Sequence, residues 1–308
     1  MELSSILHIP SDQLIDFEAD VFITTLGAES RSTTIARLLE QKGYRKIALA
    51  AIEHSRDFSF QKNSDYFLEQ GYEIVPVETE GPNVSSIFEK GVSDELRIVI
   101  DCTNMSPQWY YEFFNWFSEN QDNFKQVTIR VAYTMASFVD SESYGKVKSV
   151  EPFLQAEEAV ANGKKTALIL GLGHEEHTGD TIYKKINPDL LYLFYADPPV
   201  DKKFVEKVFV NNHTLINATP IRNLIAYPIR NGQHIYQILI DVILPLRNEY
   251  SILLVPQGPK FFSVVALMVH LIYPDIRISY PKFKKTAAID RHPCDEPVVL
   301  DVHFEDEE

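Results

Sequence analysis

Short runs of apolar, often β-branched residues recur along this chain, and polar turns and segments with helical periodicity follow them. Runs of this length and composition are typical of buried strands. The pattern predicts strands at residues 21–26, 46–51, 73–77, 96–101 and 127–134, and again at 167–170, 190–195, 224–229, 252–255 and 276–280. Strands that are apolar throughout and alternate with helices form parallel sheets covered on both faces, so the sequence predicts an α/β fold.

The same alternation of strand and helix occurs twice, and a polar stretch separates the two series. We therefore expect two Rossmann-like parallel-sheet halves in tandem, with helices on both faces. The expected divisions are an N-terminal domain at 1–145, a connector at 146–164, a C-terminal domain at 165–285 and an acidic tail at 286–308. We expect an amphipathic piece at 154–161 and a possible edge strand at 298–304, whereas residues 1–17 carry little signal.

Composition narrows the range of partners. The chain has 308 residues, a formal net charge of −15 and 45% hydrophobic residues. This hydrophobic content is enough for a substantial core, and it argues against a disordered protein. Long nucleic acids are unexpected partners, because their non-specific binding depends on a basic surface. A small anion remains a possible ligand, since a local nest of backbone N–H groups can overcome an acidic global field.

The cysteines and the N-terminal residues indicate the cellular compartment in which we expect the protein. Cys102 and Cys294 lie far apart and have neither metal-binding nor disulfide-framework spacing, which fits a reducing cytoplasm. The N-terminus lacks a basic segment followed by a continuous apolar run, so we expect no signal peptide. No apolar run reaches the length of a membrane span. The expected location is the cytoplasm, with no membrane partner.

Two polar turns of the second half each lie between a predicted strand and a predicted helix. The first is GLGHEEHTG at 171–179, and the second is VPQGPK at 255–260. A strand that passes through a glycine turn into a helix presents unpaired N–H groups and the positive end of the helix dipole, which favour an anion. Carboxyl ends of parallel strands meet at one edge, so we expect the two turns to lie side by side.

The segments ALILGLGHEEHTGD, ILLVPQGPKFFSVVAL and RISYP resemble the CARF family, Rossmann-like domains that sense cyclic oligonucleotides in bacterial defence. The resemblance covers about residues 165–281. It extends more weakly to 20–135, where ITTLGAESRSTTIA and VIDCTNMSP occupy the equivalent turns. A chain with two such halves looks like the SAVED domains of related defence systems. The second turn departs from the family pattern, because Pro256 and Pro259 replace a run rich in Gly and Ser or Thr.

The resemblance implies a ligand pocket at the C-terminal ends of the strands. One side would be formed by Gly171, Gly173, Thr178 and Asp180, and the other by Gln257, Gly258 and Lys260. Lys260 would neutralise a phosphate as a point charge. The corresponding turns of the first half contain Gly27, Glu29, Arg31 and Asp101. Arg31 is a candidate phosphate clamp, with pairing to Glu29 as the alternative, and Asp101 either contacts a ligand or caps the next helix.

Catalysis is a further hypothesis, because some proteins similar to this family cleave their own ligand. His174, Glu176 or Glu29 would act as general base on a phosphodiester or N-glycosidic bond. A metal site completed by Asp197 or His213 is the competing interpretation of the cluster at 174–177. Its histidines, however, are three residues apart in a turn, which is not the zinc-protease motif. We predict no metal and no cofactor. A nicotinamide oxidoreductase is disfavoured because the full GxGxxG fingerprint is missing.

An aromatic segment at 109–117 covers all faces of its predicted helix, which indicates a helix buried between layers or at a subunit contact. The sequence as a whole predicts a protein of bacterial antiviral defence that senses or processes a small nucleotide, cyclic or linear. It would act with a separate effector, and as a possible homo-oligomer. The alternatives are a non-catalytic interaction subunit of a defence complex, and a nucleotide or nucleoside hydrolase unrelated to defence.

Overall fold

The computed structural model describes residues 2–52, 56–78, 81–88, 95–120, 124–139, 146–153, 163–284 and 288–305. The chain divides into two compact units, each built around one sheet. Unit 1 comprises Met1–Ser137 and Ala288–Glu308, and unit 2 comprises Phe138–Ala287. The amphipathic piece expected at 154–161 lies outside the described residues.

The strands of unit 1 are β1 (Glu2–Ile9), β2 (Val21–Thr25), β3 (Arg45–Ala51), β4 (Glu73–Val77), β5 (Glu95–Asp101), β6 (Gln126–Tyr133) and β13 (Val298–Glu305). Those of unit 2 are β7 (Val147–Pro152), β8 (Lys165–Gly171), β9 (Leu190–Ala196), β10 (Leu224–Tyr227), β11 (Tyr250–Pro256) and β12 (Arg277–Phe283). Every strand predicted from apolar runs is present, and most boundaries move by only one or two residues.

The helices of unit 1 are α1 (Gln13–Asp16), α2 (Thr34–Leu38), α3 (Phe60–Glu69), α4 (Val84–Phe88) and α5 (Pro107–Glu119). Those of unit 2 are α6 (Thr178–Ile186), α7 (Lys202–Asn211), α8 (His213–Ala218), α9 (Gly232–Leu246) and α10 (Lys260–Ile272). None of these described helices combines the length and apolar content needed to cross a bilayer.

Both sheets contain the same parallel arrangement. In unit 1 the order is β1-β13-β6-β5-β2-β3-β4, and in unit 2 it is β10-β9-β8-β11-β12-β7. Numbered along each half, the five parallel strands lie in the order 3-2-1-4-5, which matches the first five strands of the classic Rossmann order. The predicted α/β class with two Rossmann-like halves is confirmed. The strand order reverses between β2 and β5 in unit 1 and between β8 and β11 in unit 2. We call these two places the switch points.

Three antiparallel strands extend the sheets beyond this pattern. β13 lies between β1 and β6 and pairs with both, so the expectation of an edge strand at 298–304 is wrong. A buried ion pair joins β13 to β6, in which Arg130 on β6 donates two hydrogen bonds of 2.7 Å to Asp301. β7, within the expected connector, pairs with β12 at the edge of the unit 2 sheet.

The aromatic helix α5 is part of the core of unit 1. Ser106 caps its N-terminus by accepting a hydrogen bond from the backbone N–H of Trp109, and Pro107 begins its first turn. The ring of Phe117 is fully buried, and it packs against Phe88 and Phe124 at centroid distances of 5.1 and 5.9 Å. The structure therefore favours the interpretation of a helix buried between layers.

Candidate functional site

The two glycine turns of unit 2 start at adjacent positions of the sheet. β8 and β11 are hydrogen-bonded neighbours, and Gly171 at the end of β8 lies opposite Pro256 at the end of β11. The turn after β8 leads into α6, and the turn after β11 leads into α10. The expectation that the two turns lie side by side is therefore confirmed, and both lie at the switch point of unit 2.

The turns are in direct backbone contact. A Cβ atom on Gly171 would lie 2.4 Å from the carbonyl oxygen of Gln257. Gly258 has a φ of +95°, and a Cβ there would lie 2.8 Å from the carbonyl oxygen of Leu172. Both distances are shorter than side chains tolerate, so glycine is required by close approach at the first position and by both conformation and approach at the second.

Two buried oxygen atoms lie at this contact. The Oε2 atom of Glu175 is 2.0 Å from the position of a Cβ on Gly173, and that position is 3.5 Å from the backbone nitrogen of Gly258. The hydroxyl of Tyr227 is 3.7 Å from the position of a Cβ on Gly258. Neither oxygen has a hydrogen-bond partner among the described residues. Buried polar atoms are normally paired, so the two oxygens mark this place as one with unused hydrogen-bonding capacity.

Tyr227 is fully buried, and its ring stacks on Phe262 at a centroid distance of 4.7 Å. Burial raises the pKa of the Tyr227 hydroxyl above its ordinary value. Because desolvation opposes the phenolate, this hydroxyl stays protonated and acts as a neutral donor or acceptor. Sequence reasoning did not identify Tyr227 or Glu175. The only available signal was that Glu175 belongs to the polar cluster of the first turn.

The structure separates the members of the cluster at 174–177. The ring of His174 packs against Phe138 and Phe204 at centroid distances of 6.2 and 5.4 Å. His177 and Glu176 approach each other to 3.2 Å, with side chains 74% and 72% exposed. In the ranges that the structure describes, no three His, Cys, Asp or Glu side chains are grouped so as to hold a metal ion.

Two asparagines at the end of α7 hold the first turn in place. Asn211 donates to the carbonyl oxygen of His174 at 2.5 Å, and Asn212 donates to that of Gly173 at 3.0 Å. Asn212 is buried, which fits a structural hydrogen-bonding role. These residues were also missed from the sequence, because nothing local indicates that a helix end will contact a turn some forty positions earlier.

The remaining candidates of unit 2 lie in the first turns of its two helices. Thr178 is buried as the first residue of α6, and Asp180 is half-buried in the same turn. Lys260 is half-buried as the first residue of α10, which spans 13 residues and has no acidic residue in its first turn. The positive end of this helix dipole and the lysine charge therefore add together at the switch point.

The switch point of unit 1 is filled by an internal ion network. Arg31 is only 4% exposed; it donates to Glu29 Oε2 at 2.6 Å and to the carbonyl oxygen of Thr134 at 2.6 Å. Burial opposes the charge of Arg31, but Tyr133 and Glu29 outweigh that effect and raise the pKa of the guanidinium. Glu29 also accepts a 2.7 Å hydrogen bond from Arg291. Of the two alternatives for Arg31, the ion pair with Glu29 is the one present.

The turn at Ser30 also binds a carboxylate of the same chain, that of Asp290. Asp290 accepts hydrogen bonds from the backbone N–H and the hydroxyl of Ser30, at 2.7 and 2.6 Å. Asp101 is buried and accepts from Thr24 Oγ1 at 3.0 Å and from the Thr103 N–H at 2.9 Å. A Cβ on Gly27 would lie 2.9 Å from side-chain atoms of Asn104 and Ser32. The candidates of unit 1 therefore hold their own turn together, whereas Gly173 and Gly258 of unit 2 lie beside two oxygens that have no hydrogen-bond partner among the described residues.

The chain matches no protein-family model, no curated protein and no solved structure. Because no related protein was found, the resemblance to CARF and SAVED domains is untested and stays a prediction. Any assignment of function consequently depends on the residues at the two switch points.

Proposed function

We propose that this protein binds a small nucleotide, and that unit 2 holds it at the C-terminal ends of β8 and β11. The observation that supports this proposal is the pair of buried oxygens of Glu175 and Tyr227, which have no hydrogen-bond partner in the described part of the chain and lie beside two touching glycine turns. Open α/β sheets bind ligands at the place where strand order reverses, which is where these atoms lie.

The chemistry of the two sides suggests how a nucleotide would be oriented. The Glu175 carboxylate accepts hydrogen bonds, so it suits a ribose hydroxyl or a base amino group and repels a phosphate. Lys260 and the N-terminus of α10 attract an anion, so the phosphate belongs on that side. A nucleotide carries both kinds of group on separate parts of one molecule, whereas sulfate lacks the donor that suits Glu175, and inorganic phosphate carries its hydroxyl on the same anion that the carboxylate repels.

The proposal assigns one ligand to each chain. In unit 1 the carboxylate of Asp290 already takes the N–H and hydroxyl of Ser30, and Arg31 is already paired with Glu29. A ligand phosphate would have to displace these intramolecular partners. In the first turn of unit 2, the ion pair between His177 and Glu176 is exposed, so a ligand would displace solvent rather than a buried internal pair there.

In keeping with the resemblance to CARF and SAVED domains, we place this binding in bacterial antiviral defence, with a cyclic nucleotide as the ligand and a separate cytoplasmic protein as the effector. Within the part of the chain that the structure describes, neither Cys102 nor Cys294 forms a disulfide, which is compatible with a reducing compartment. Sensing is preferred over cleavage, because His174 is packed between aromatic rings and Glu176 is solvated.

A thermal-shift screen tests this function. The panel contains cyclic di-, tri- and tetranucleotides, linear mononucleotides, nucleosides and inorganic phosphate. We expect at least one nucleotide to raise the melting temperature of the wild type, and phosphate alone to have no effect. Chromatography of the nucleotide after incubation distinguishes sensing, in which it is recovered intact, from hydrolysis. A panel without any response would reject nucleotide binding.

A further inference from the structure

The strand β10 lies at one end of the unit 2 sheet, where its neighbour among the described strands is β9 alone. Its sequence, LIAY, contains no charge and no proline, and its pairing with β9 has no register shift. An end strand presents a row of backbone N–H and C=O groups that another strand can pair with, and proteins usually block such an edge with charges, prolines or bulges. β10 is therefore an unprotected edge.

The hydrogen bonding at the end of β10 shows which of its backbone groups face outward. The C=O of Tyr227 accepts a 2.9 Å hydrogen bond from the N–H of Asp197, the residue that follows β9. Backbone groups of successive residues in a strand point to opposite sides, so the N–H and C=O of Ala226 point away from β9. Ala226 is exposed, and these two groups consequently lie at an accessible edge.

Unit 1 has a proline at the equivalent position of its own sheet. β4 ends that sheet as β10 ends the other, and the C=O of Val77 accepts a 3.1 Å hydrogen bond from the N–H of Ile52, the residue that follows β3. Pro76 therefore occupies in β4 the position that Ala226 occupies in β10. A proline is tolerated where its missing N–H would face solvent, and it prevents a further strand from pairing there. Unit 2 lacks this block.

The other ends of the two sheets are also protected. β1 has a register shift between Leu3 and Ser5. β7 carries the exposed charges of Lys148 and Glu151, together with Pro152. Among the described strands, β10 is the end strand that has none of these features, so it is the edge at which a further strand can be added.

Apolar side chains lie along this edge on the face that carries α7. Ala226 is paired with Tyr195, so their side chains share one face, and the Tyr195 ring packs edge-to-face on Phe209 at a centroid distance of 5.1 Å. Phe209 is 36% exposed, and Ile221, in the turn before β10, is 84% exposed. A strand added about 4.8 Å beyond β10 would cover part of this apolar surface.

The sequence around β10 is basic, although the chain as a whole has a formal net charge of −15. No acidic residue occurs between Glu206 and Asp241, and the exposed Arg222 lies just before β10. At the other end of the strand, Arg230 and Asp197 carry opposite charges. Complementary charge therefore favours an acidic group at the Arg222 end. A second copy paired through β10 would bring the same basic segment against itself, so the charges favour a different partner.

We infer that β10 binds an extended segment of a separate protein by strand addition. The segment pairs with the N–H and C=O of Ala226, places an apolar side chain beside Phe209 and carries an acidic residue over Arg222. In this mode of recognition, main-chain hydrogen bonds give affinity and side chains at alternate positions give specificity. The inference is independent of the proposed nucleotide site, since it requires no ligand at the switch point.

Synthetic peptides test the inference on the full chain. Two fluorescent peptides consist of alternating valine and threonine, and they carry a pair of glutamates either at the N-terminus or at the C-terminus. We expect one of them, according to the direction of pairing, to bind with a Kd below about 100 μM in fluorescence anisotropy. Replacing its glutamates with lysines is expected to raise the Kd at least about threefold, because lysines repel Arg222.

Methylation of the peptide backbone tests the pairing without any change to the protein. The N–H groups of successive residues in the peptide point to opposite sides, so only one alternate set of them faces β10. Methylating that set is expected to raise the Kd at least about tenfold, and methylating the other set is expected to have little effect.

Variants of the chain locate the peptide at this edge. Ala226→Pro gives β10 the residue that β4 has at this position, so we expect it to abolish binding and keep the melting temperature. Ala226→Ser retains the N–H and should leave the Kd unchanged. Arg222→Gln is expected to remove the preference for glutamate over lysine.

Four results would overturn the inference. Neither peptide binds at about 1 mM; Ala226→Pro binds the peptide as the wild type does; both methylated peptides bind equally well; or sedimentation shows that the wild type is a dimer that Ala226→Pro dissociates. In the last case β10 is occupied by a second copy of this chain rather than by a separate protein.

Discussion

Replacing Tyr227 with phenylalanine is expected to stabilise unit 2 in the absence of ligand. The ring is fully buried and stacks on Phe262 at 4.7 Å, and phenylalanine keeps that contact. The hydroxyl has no hydrogen-bond partner among the described residues. Most substitutions of buried residues destabilise a protein, so an increase in stability would be a distinctive result.

The size of the effect follows from the state of the hydroxyl. Leaving a buried polar group without a hydrogen bond costs about 1–3 kcal/mol. Removing the oxygen recovers part of that cost and leaves a small gap beside Gly258, so we expect a net gain of about 1 kcal/mol. For a unit of this size, such a gain corresponds to an increase of roughly 2–4 °C in the melting temperature.

Scanning calorimetry measures the effect, and Tyr236→Phe is the matched control within unit 2. The Tyr236 hydroxyl is hydrogen-bonded to Tyr273, and burial is the first cause that raises its pKa, to about 12. Loss of that bond is expected to destabilise the unit by about 0.5–1.5 kcal/mol. A destabilised Tyr227→Phe variant would refute the reasoning, because it would mean that the Tyr227 hydroxyl is hydrogen-bonded in the free protein.

Three other substitutions test the framework around the sites. Gly258→Ala is expected to destabilise unit 2 by about 1–3 kcal/mol, measured by denaturant unfolding, because φ is +95° and the facing turn leaves no space for a Cβ. Unchanged stability would mean that the two glycine turns of unit 2 are further apart. Asp301→Asn leaves the buried Arg130 charge without its partner, so a loss of about 3–5 kcal/mol is expected, and a loss below about 1 kcal/mol would contradict a buried pair. The hydrogen bond from Arg247 lowers the pKa of the Asp275 carboxyl in the folded protein. The pair therefore stabilises the folded state at pH values above the unfolded pKa of about 3.9. This stabilisation is lost as the pH falls through the lower pKa of the folded state. Because Asp275 is exposed, Asp275→Asn should cost less than about 1 kcal/mol at pH 7 and progressively less as the pH falls below about 4, and a difference that stays constant with pH would contradict the assignment.

The parallel core of both units was predictable because its signal is local. Each of its strands is a short apolar run, and chain order alone places β8 beside β11 once the Rossmann pattern is recognised. The antiparallel strands were less predictable: β1 and β7 were not predicted, and β13 was expected as a strand but at an edge of the sheet. β13 is defined by pairing with β6 and β1, partners that lie far away in the sequence, and a buried Arg130–Asp301 ion pair is not visible as hydrophobic periodicity.

The candidate site residues likewise divide into those that a local sequence pattern reveals and those that only tertiary packing brings together. Gly171 and Gly258 were identified from strand and turn chemistry, and the structure gives a steric reason for both. Sequence reasoning missed Asp290, which lies 260 residues from the Ser30 that it caps. It also missed Tyr227, which lies inside the strand predicted at 224–229 and ends that strand in the structure. Such contacts depend on tertiary packing, so no local pattern reveals them.

Calorimetric titration with the nucleotide selected by the thermal-shift screen tests the central proposal most directly. The proposal predicts one nucleotide per chain and a Kd that rises at least about tenfold in Lys260→Ala and in Glu175→Gln. Lys184→Ala removes the same charge from the last turn of α6, at the opposite edge of the sheet, and should leave the Kd unchanged. A Kd that is the same in the wild type and in both site variants, or a stoichiometry of two, would contradict a single nucleotide site at the switch point of unit 2.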